Sequence, residues 1–427
     1  MKIFSTVKQT QAEILARKMS ESVDVSATVA EILAKVQTGG DQAVKELTKE
    51  IDGVELADLR VAAADIEASV HEISGELLAV LKKAKENIMA YHEKQVRQGF
   101  VSTSEQGVVM GQRVLPLETV GVYVPGGTAA YPSTVLMDVL PAKIAGVKRI
   151  VMITPPSKEG KLVPAILAAA QIAGVDEIYQ VGGAQGIAAL AYGTETIPAV
   201  DKIVGPGNIY VATAKRMVYG LVDIDMIAGP SDVLIVADDS AKPEWLAADL
   251  IAQAEHDPLA QAILITTSES MIQAVDQAVQ RQLADLPRQA IAQQSLDNNG
   301  KLILAQNLDE AIALANQVAP EHLELAVDQP FGLLGKVKNA GSVFLGHYTP
   351  EVLGDYFAGP NHTLPTEGTA RFYSPLSVDD YVKKSSYLYY TPEALAEAGP
   401  SVELFAKTEH LDGHARSMAI RLRGEEE

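Results

Sequence analysis

The stretch VGVYVPGG, Val120 to Gly127, followed by YPSTVLMDVLPAKIAGV, residues 131–147, decides the fold. It has the pattern of an apolar strand, a glycine-bearing loop and a helix, and this order recurs three times downstream. The later units begin at RIVMITPP (149–156), EIYQVGGAQG (177–186) and DKIVGPGN (201–208). Strands that alternate with helices predict a parallel sheet covered on both faces, here from about Val120 to Asp232.

A second alternating block follows the first. Its strands are predicted at DVLIVADDS (232–240), AQAILITTS (260–268), KLILA (301–305), HLELAV (322–327) and AGSVFLGH (340–347). We therefore predict an α/β protein with two Rossmann-like parallel-sheet domains, a helical N-terminal region and a small helical C-terminal tail. The early helices are expected to pack on the second domain, which makes it discontinuous. The predicted domains are 1–119 with 233–372, then 120–232, then the tail 373–427.

Composition narrows the classes of function. The 427 residues are 47% hydrophobic and carry a formal net charge of -20, which disfavours binding to nucleic acid and to anionic membranes. The sequence has no cysteine, so disulfides, thiolate metal sites, iron–sulfur clusters and thiol nucleophiles are excluded. Neither a signal peptide nor a segment of membrane-spanning length is recognisable, and a cytoplasmic protein is expected.

Three glycine-rich loops lie in the first block: YVPGG (Tyr123 to Gly127), GGAQG (182–186) and GPGN (205–208). Each follows a predicted strand and opens a helix, where backbone N–H groups can bind a phosphate. None matches G-x-G-x-x-G, and each alone is better explained as a tight turn. Three such loops at one end of one sheet nevertheless indicate a ligand cleft, and a dinucleotide is a reasonable occupant.

Six of the eight histidines fall between positions 256 and 414, beside carboxylates and amides. The candidate clusters are Gln253-x-x-His256, Glu321-His322, Asp355 to His362, and Glu409-His410-x-x-x-His414. A zinc site without cysteine needs nitrogen and oxygen ligands of these types. Taken alone, the first pair is better explained as a helix end, the second as a loop pair and the last as an exposed helix. The irregular segment GDYFAGPNHTLPT (354–366) is more indicative, since such loops often carry function.

Together these segments resemble the histidinol dehydrogenase family over nearly the whole chain. The resemblance lies in VGVYVPGG, GGAQG, GPGN, AGPSD (228–232), LIAQAEHDP (250–258), APEHLEL (319–325), GDYFAGPNHTLPT and ELFAKTEHLDGHA (403–415). It implies an aldehyde-dehydrogenase-like pair of Rossmann-like domains, of which 120–232 binds NAD. It also implies oxidation of L-histidinol to L-histidine through the aldehyde by two NAD+ in succession, the last step of histidine biosynthesis. Members are zinc-dependent homodimers with intertwined subunits, so the tail is expected to be exchanged between them.

The resemblance also implies roles for individual residues. One zinc ion per subunit would be bound by Gln253, His256, Asp355 and His414, the last from the partner's tail in a dimer. Catalysis would rest on Glu321 and His322. The substrate would contact Ser231, His322, His362 and Glu409 as well as the zinc ligands. NAD would contact Tyr123, Gln185 and Asn208. The loop 355–362 has Phe-Ala and Pro where small residues and Thr are expected, but its length is kept.

Other functions stay open at this point. A zinc hydrolase could use the same four metal ligands, with Glu321 activating water, although it would need no dinucleotide cleft. A related dehydrogenase could act on another amino alcohol or on a sulfonated alcohol. A non-enzymatic binding module is the weakest alternative, because it would not require acid–base residues beside metal ligands.

Overall fold

The computed structural model describes residues 1–17, 24–126, 131–227 and 229–423. Gly127 of the YVPGG loop and Ala228 of AGPSD therefore lie outside the described residues. The strands are β1 (Lys2–Ser5), β2 (Phe100–Thr103), β3 (Val109–Pro116), β4 (Thr119–Tyr123), β5 (Arg149–Ile153), β6 (Glu177–Tyr179), β7 (Lys202–Val204), β8 (Asp223–Ile224), β9 (Asp232–Ala237), β10 (Gln261–Thr266), β11 (Lys301–Leu304), β12 (His322–Ala326), β13 (Ser342–Leu345) and β14 (Val382–Tyr389).

The α-helices follow the same chain order. They are α1 (Gln11–Leu15), α2 (Ser26–Ile51), α3 (Ala63–Glu72), α4 (Gly75–His92), α5 (Pro132–Ala145), α6 (Pro164–Ala173), α7 (Gly183–Tyr192), α8 (Ile209–Val218), α9 (Pro243–Ala254), α10 (Glu269–Leu283), α11 (Gln289–Asn299), α12 (Leu308–Val318), α13 (Pro330–Leu334), α14 (Glu351–Tyr356), α15 (Pro392–Thr408) and α16 (Asp412–Arg423). None of these described helices is long and apolar enough to cross a membrane.

The first predicted α/β block forms a five-stranded sheet in the order β6-β5-β4-β7-β8. All of its strand pairs are parallel. The central strand β4 buries Val120 and Val122 completely, as a strand covered on both faces must. Helix α5 begins at a proline and ends at Gly146, whose φ of 91° provides the left-handed residue that closes the helix.

The second block forms a six-stranded parallel sheet in the order β1-β11-β10-β9-β12-β13. Residues Val233 to Ala237 of β9 are fully buried between helices on the two faces of this sheet. The chain therefore contains two parallel α/β domains, and the predicted fold class is confirmed. Both sheets lie in one compact unit, formed by Met1–Gln95 and Leu117–Tyr381.

The N-terminal region divides between the two sheets. Strand β1 is an edge of the six-stranded sheet, and Ile14 of α1 lies in the core beside it. In contrast, α2 packs against α7 and α8 of the five-stranded sheet, and α3 and α4 pack against α5 and α6. The sequence analysis assigns all of residues 1–119 to the domain of the six-stranded sheet, and the packing of α2, α3 and α4 differs from that assignment. An apolar stripe shows that a helix face is buried, but it does not show which sheet covers it.

A second compact unit is formed by Val96–Pro116 and the chain from Val382 onward. Its sheet is antiparallel, in the order β14-β3-β2, and helices α15 and α16 follow β14. The tail expected at 373–427 therefore contains a long strand as well as two helices.

Candidate active site

The candidate active site is a cavity of about 300 Å³ lined by residues of both α/β domains. The amino ends of strands β9 and β12 and the carboxyl end of α9 border this cavity. On the opposite side it is lined by the GPGN loop, which follows the carboxyl end of β7. The predicted residues that line this cavity are Asn208, Ser231, Gln253, His256, Glu321, His322, Asp355 and His362.

Glu321 is held by a reciprocal pair of hydrogen bonds with Asp232. The backbone N–H of Asp232 donates to Glu321 Oε2 at 3.0 Å, and the backbone N–H of Glu321 donates to Asp232 Oδ1 at 2.7 Å. Arg17 forms an ion pair with the remaining oxygen of Asp232 at 3.3 Å. Burial raises the pKa of Glu321 to about 7, with the neighbouring His322 acting in the opposite direction. Glu321 can therefore both take and give a proton near neutral pH.

His322 stands at the first position of β12 with both ring nitrogens facing polar groups. Its Nδ1 lies 3.3 Å from the Asp232 carbonyl oxygen and 3.6 Å from Glu351 Oε2, and its Nε2 lies 3.4 Å from Asp355 Oδ1. Burial lowers the pKa of His322, but the carboxylates around it outweigh burial and raise the pKa well above its usual value. The His322 ring is therefore the group that holds a proton among the surrounding carboxyl groups of Glu321, Glu351 and Asp355.

Three predicted metal ligands line the same cavity: Gln253 and His256 at the end of α9, and Asp355 in α14. The Gln253 side chain is buried, yet within the described part of the chain its amide makes no hydrogen bond. A buried amide without a partner fits a role as an oxygen ligand. Among the described residues, no group of three or more His, Cys, Asp or Glu side chains is arranged to hold a metal ion by itself.

The remaining predicted ligand and substrate residues divide between two places. His362 borders the cavity, where its Nδ1 donates to the Asp355 carbonyl oxygen at 2.9 Å and its Nε2 lies 3.3 Å from the Thr134 hydroxyl. Burial lowers the pKa of His362, so the neutral ring is favoured. Glu409 and His414 belong to the second compact unit, Glu409 at the end of α15 and His414 within α16.

A second cavity, of about 750 Å³, lies at the carboxyl edge of the five-stranded sheet. Tyr123, Gln185 and Asn208, the three predicted cofactor residues, all line it, and Asn208 also lines the first cavity. Gln185 is fully buried; its Nε2 donates to Asp52 at 3.3 Å, while its Oε1 has no hydrogen-bond partner among the described residues. A buried acceptor left free in a cavity of this size fits a ligand that brings a donor.

The GPGN loop is held against β4 by close backbone contact. Gly205 has a φ of 113°, and a Cβ at this position would lie 2.0 Å from the Tyr123 carbonyl oxygen, so only glycine fits. The buried Lys215 forms an ion pair with Asp225 and donates to the Gly205 carbonyl at 2.9 Å. Asp225 accepts from the Gly205 N–H at 2.8 Å. Two charged side chains therefore fix the loop that separates the cavities.

Asp232 and Glu351 were not predicted as site residues. Asp232 opens the otherwise apolar strand DVLIVA, and an acid at the start of a buried strand is a signal that could have identified it. Glu351 is the first residue of the short helix α14, and no sequence signal connects it with His322.

Two parallel α/β domains that share a cavity with a buried acid–base pair define a two-domain α/β enzyme. A family model described as histidinol dehydrogenase matches residues 15–422. Histidinol dehydrogenase of Listeria monocytogenes serovar 1/2a is 56% identical, covering 100% of both chains, and that of Clostridium acetobutylicum is 52% identical, covering 99% of this chain and 96% of its own. The crystal structure of histidinol dehydrogenase from Elizabethkingia anophelis is 39% identical with a TM-score of 0.94, covering 99% and 98%. The chain belongs to the histidinol dehydrogenase family. A dehydrogenase is an oxidoreductase, and this is therefore the class of enzyme to which the chain belongs.

Proposed function

We propose that the chain catalyses the NAD-dependent, four-electron oxidation of L-histidinol to L-histidine through L-histidinaldehyde, the last step of histidine biosynthesis, in the cytoplasm. The observation that carries this proposal is the buried Glu321–His322 pair, which shares its cavity with Gln253, His256 and Asp355. The cofactor-sized second cavity, which meets the first at Asn208, supports it.

The chemistry of the two cavities fits the two groups that the family implies. The free Gln185 Oε1 supports NAD in the larger cavity. The unpartnered Gln253 amide beside His256 and Asp355 supports one Zn2+ per subunit, completed by His414 of the partner subunit. When bound, zinc would supply a Lewis acid that orients the substrate, and NAD+ would supply the acceptor for each hydride.

His322 is the base for the alcohol proton. Its Nδ1 faces the Asp232 carbonyl, which can only accept, so Nδ1 carries a hydrogen and Nε2 remains as the basic nitrogen. Asp355, which lies 3.4 Å from Nε2, is also a proposed metal ligand, so a bound cation would draw its negative charge away from the His322 ring.

Glu321 activates water in the second half of the reaction. The Asp232 N–H fixes one of its oxygens, and its pKa of about 7 suits a general base. Water added to the aldehyde gives a hydrate, which can lose a second hydride as a carboxylate forms. This route needs no covalent thiol intermediate, which a chain without cysteine cannot form.

A homodimer completes the proposed site. The second compact unit exposes a set of large apolar side chains on its strands and on α15, the kind of patch that a second subunit covers. This set is Phe100, Val101, Leu388, Tyr389, Leu404 and Phe405. We propose that this unit packs on the other copy and carries Glu409 and His414 into the partner's cavity.

The first experiment is NADH formation with L-histidinol before chelation, after chelation and after zinc is added back. Two NADH per histidinol, lost on chelation and restored by zinc, would establish the reaction and the metal together. If folded, zinc-loaded protein binds NAD+ but forms no NADH, the substrate is another amino alcohol or a sulfonated alcohol. If it does not bind NAD+, a zinc hydrolase becomes the better explanation.

A further inference from the structure

The short helix α1 ends immediately before an arginine that contacts the active-site framework. At the start of α1, the Thr10 side chain accepts from the Glu13 N–H, and the Glu13 carboxylate accepts from the Thr10 N–H at 2.8 Å. At its end, the buried Lys301 of β11 donates to the Ala16 carbonyl oxygen at 2.8 Å. A cation at the carboxyl end of a helix stabilises that end. Both ends of α1 are therefore fixed, and so is the point from which the next residue, Arg17, extends.

The Arg17 side chain is 14% exposed and contacts three polar groups. Its Nη1 forms an ion pair with Asp232 Oδ2 at 3.3 Å, and its Nη2 donates to the carbonyl oxygens of Pro230 at 3.1 Å and Leu259 at 3.5 Å. Pro230 precedes β9, whereas Leu259 lies between α9 and β10. A guanidinium group presents its N–H groups in one rigid plane. Contacts to two separate segments therefore hold Arg17 in one orientation relative to Asp232.

Asp232 connects Arg17 with Glu321. Its Oδ2 faces Arg17, while its Oδ1 accepts from the Glu321 N–H at 2.7 Å and its own N–H donates to Glu321 Oε2 at 3.0 Å. Asp232 is 2% exposed, so the ion pair with Arg17, rather than water, compensates its charge. Without Arg17, a buried carboxylate would be left unpaired beside Glu321, and it would turn away or take up a proton. Either change would loosen the hold of Asp232 on Glu321.

We propose that Arg17 is a positioning residue for the second half of the reaction, and that it orients the Glu321 carboxylate through Asp232. This inference rests on the proposed function, in which Glu321 activates the water that adds to the aldehyde. Glu321 lines the active-site cavity and Arg17 does not. Arg17 therefore acts through Asp232 and not on the substrate itself.

The addition of water depends on the direction of one oxygen atom. Because the Asp232 N–H holds Oε2 of Glu321, Oε1 is the oxygen left to accept a proton from the water. One O–H bond of the water breaks as an O–H bond forms on Oε1, the water oxygen bonds to the aldehyde carbon, and the carbonyl oxygen takes up a proton to give the hydrate. A general base has to lie about 2.6–3.2 Å from the atom whose proton it removes. A displacement of about 1 Å can slow such a step about a hundredfold.

The first half of the reaction should depend less on Arg17. His322, the base for the alcohol proton, faces the backbone carbonyl oxygen of Asp232 at 3.3 Å. The sheet holds this part of the backbone, because His322 pairs with Val233 of β9. A change confined to the Asp232 carboxylate therefore leaves the His322 ring in place. Unequal effects on the two halves of the reaction separate a positioning role from a general loss of structure.

Arg17→Gln and Arg17→Lys test the inference in the full chain loaded with zinc and NAD+. Stopped-flow NADH formation from L-histidinol measures the first half of the reaction, and L-histidinaldehyde supplied directly measures the second. We expect Arg17→Gln to lower kcat for the aldehyde about ten- to hundredfold, with little change in its KM or in the first NADH equivalent. Arg17→Lys keeps the charge but not the planar contacts, so its rate should lie between those of Arg17→Gln and the wild type. The matched control is Arg281→Gln, which removes an exposed ion pair with Glu244 and should leave both halves unchanged.

Chemical rescue identifies the guanidinium as the missing group. Millimolar guanidinium ion should restore part of the aldehyde oxidation of Arg17→Ala and none of that of Glu321→Gln. If folded Arg17 variants oxidise the aldehyde as the wild type does, Arg17 does not position Glu321, while the proposed function stands. Equal loss of both halves, or a loss that guanidinium does not restore, would make Arg17 structural and would also overturn the inference; if Arg17→Gln does not fold, the same comparison of halves is decided on Arg17→Lys. A wild type that forms no NADH from either substrate would overturn the proposed function and the inference with it.

Discussion

Gln185→Leu tests the cofactor cavity at the point where the unliganded protein leaves a buried acceptor without a partner. The substitution keeps the side-chain volume similar, removes the free Oε1 and removes the hydrogen bond to Asp52. An unsatisfied buried acceptor costs about 1–3 kcal/mol, and a hydrogen bond to a carboxylate contributes about 1.5–3 kcal/mol. These two effects offset each other, so the stability of the protein without cofactor should change by about 1 kcal/mol or less.

Under the proposed function the bound cofactor donates to Oε1, an acceptor that only the wild type has, so NAD binding should respond differently. Loss of that bond should weaken binding by about 1–3 kcal/mol, or roughly 5- to 150-fold in Kd. Calorimetric titration with NAD+ measures this, and a thermal melt without NAD+ checks the fold. Gln171→Leu, on the exposed side of α6, is the matched control and should leave Kd unchanged. An unaltered Kd in folded Gln185→Leu would show that Gln185 does not face the cofactor.

Three further predictions test the acid–base pair, the loop and the dimer. Glu321→Gln should leave the first NADH equivalent largely intact and slow the second; equal loss of both in stopped-flow traces would contradict the proposed role. Lys215→Met should lower stability by about 3 kcal/mol or more, because it leaves the Asp225 charge buried and unpaired, and adding Asp225→Asn should recover part of the loss in thermal unfolding. Coexpressed Glu321→Gln and His414→Ala subunits should regain activity in roughly a quarter of sites if tails are exchanged, by random assortment, and none if each tail serves its own subunit.

The periodic part of the fold was predictable because its signals are local. Runs such as RIVMITPP and DVLIVA are too apolar and too short for anything but buried strands, and the helices between them fix the parallel direction. The assignment of α2 was not predictable in this way. Its apolar face fits either sheet, and only the packing of Leu33 and Val36 against α7 decides between them.

The site residues that belong to a recognisable sequence motif were predictable. The residues that reach the site only through contacts in the folded chain were not. Glu321 and His322 stand next to each other in a recognisable motif, and the structure brings Gln253, His256 and Asp355 to the same cavity. The two hydrogen bonds between Glu321 and Asp232 join residues that are far apart in the chain.

The junction of the two cavities at Asn208 has a consequence for a reaction that uses two cofactor molecules in turn. Spent NADH has to leave and fresh NAD+ has to enter while the aldehyde is still reactive. If the dinucleotide occupies the larger cavity, as proposed, it can be exchanged through that cavity while the intermediate stays in the smaller one. Under the proposed function, this arrangement of two joined cavities would keep a labile aldehyde from escaping between the two hydride transfers, a form of internal channelling within a single subunit.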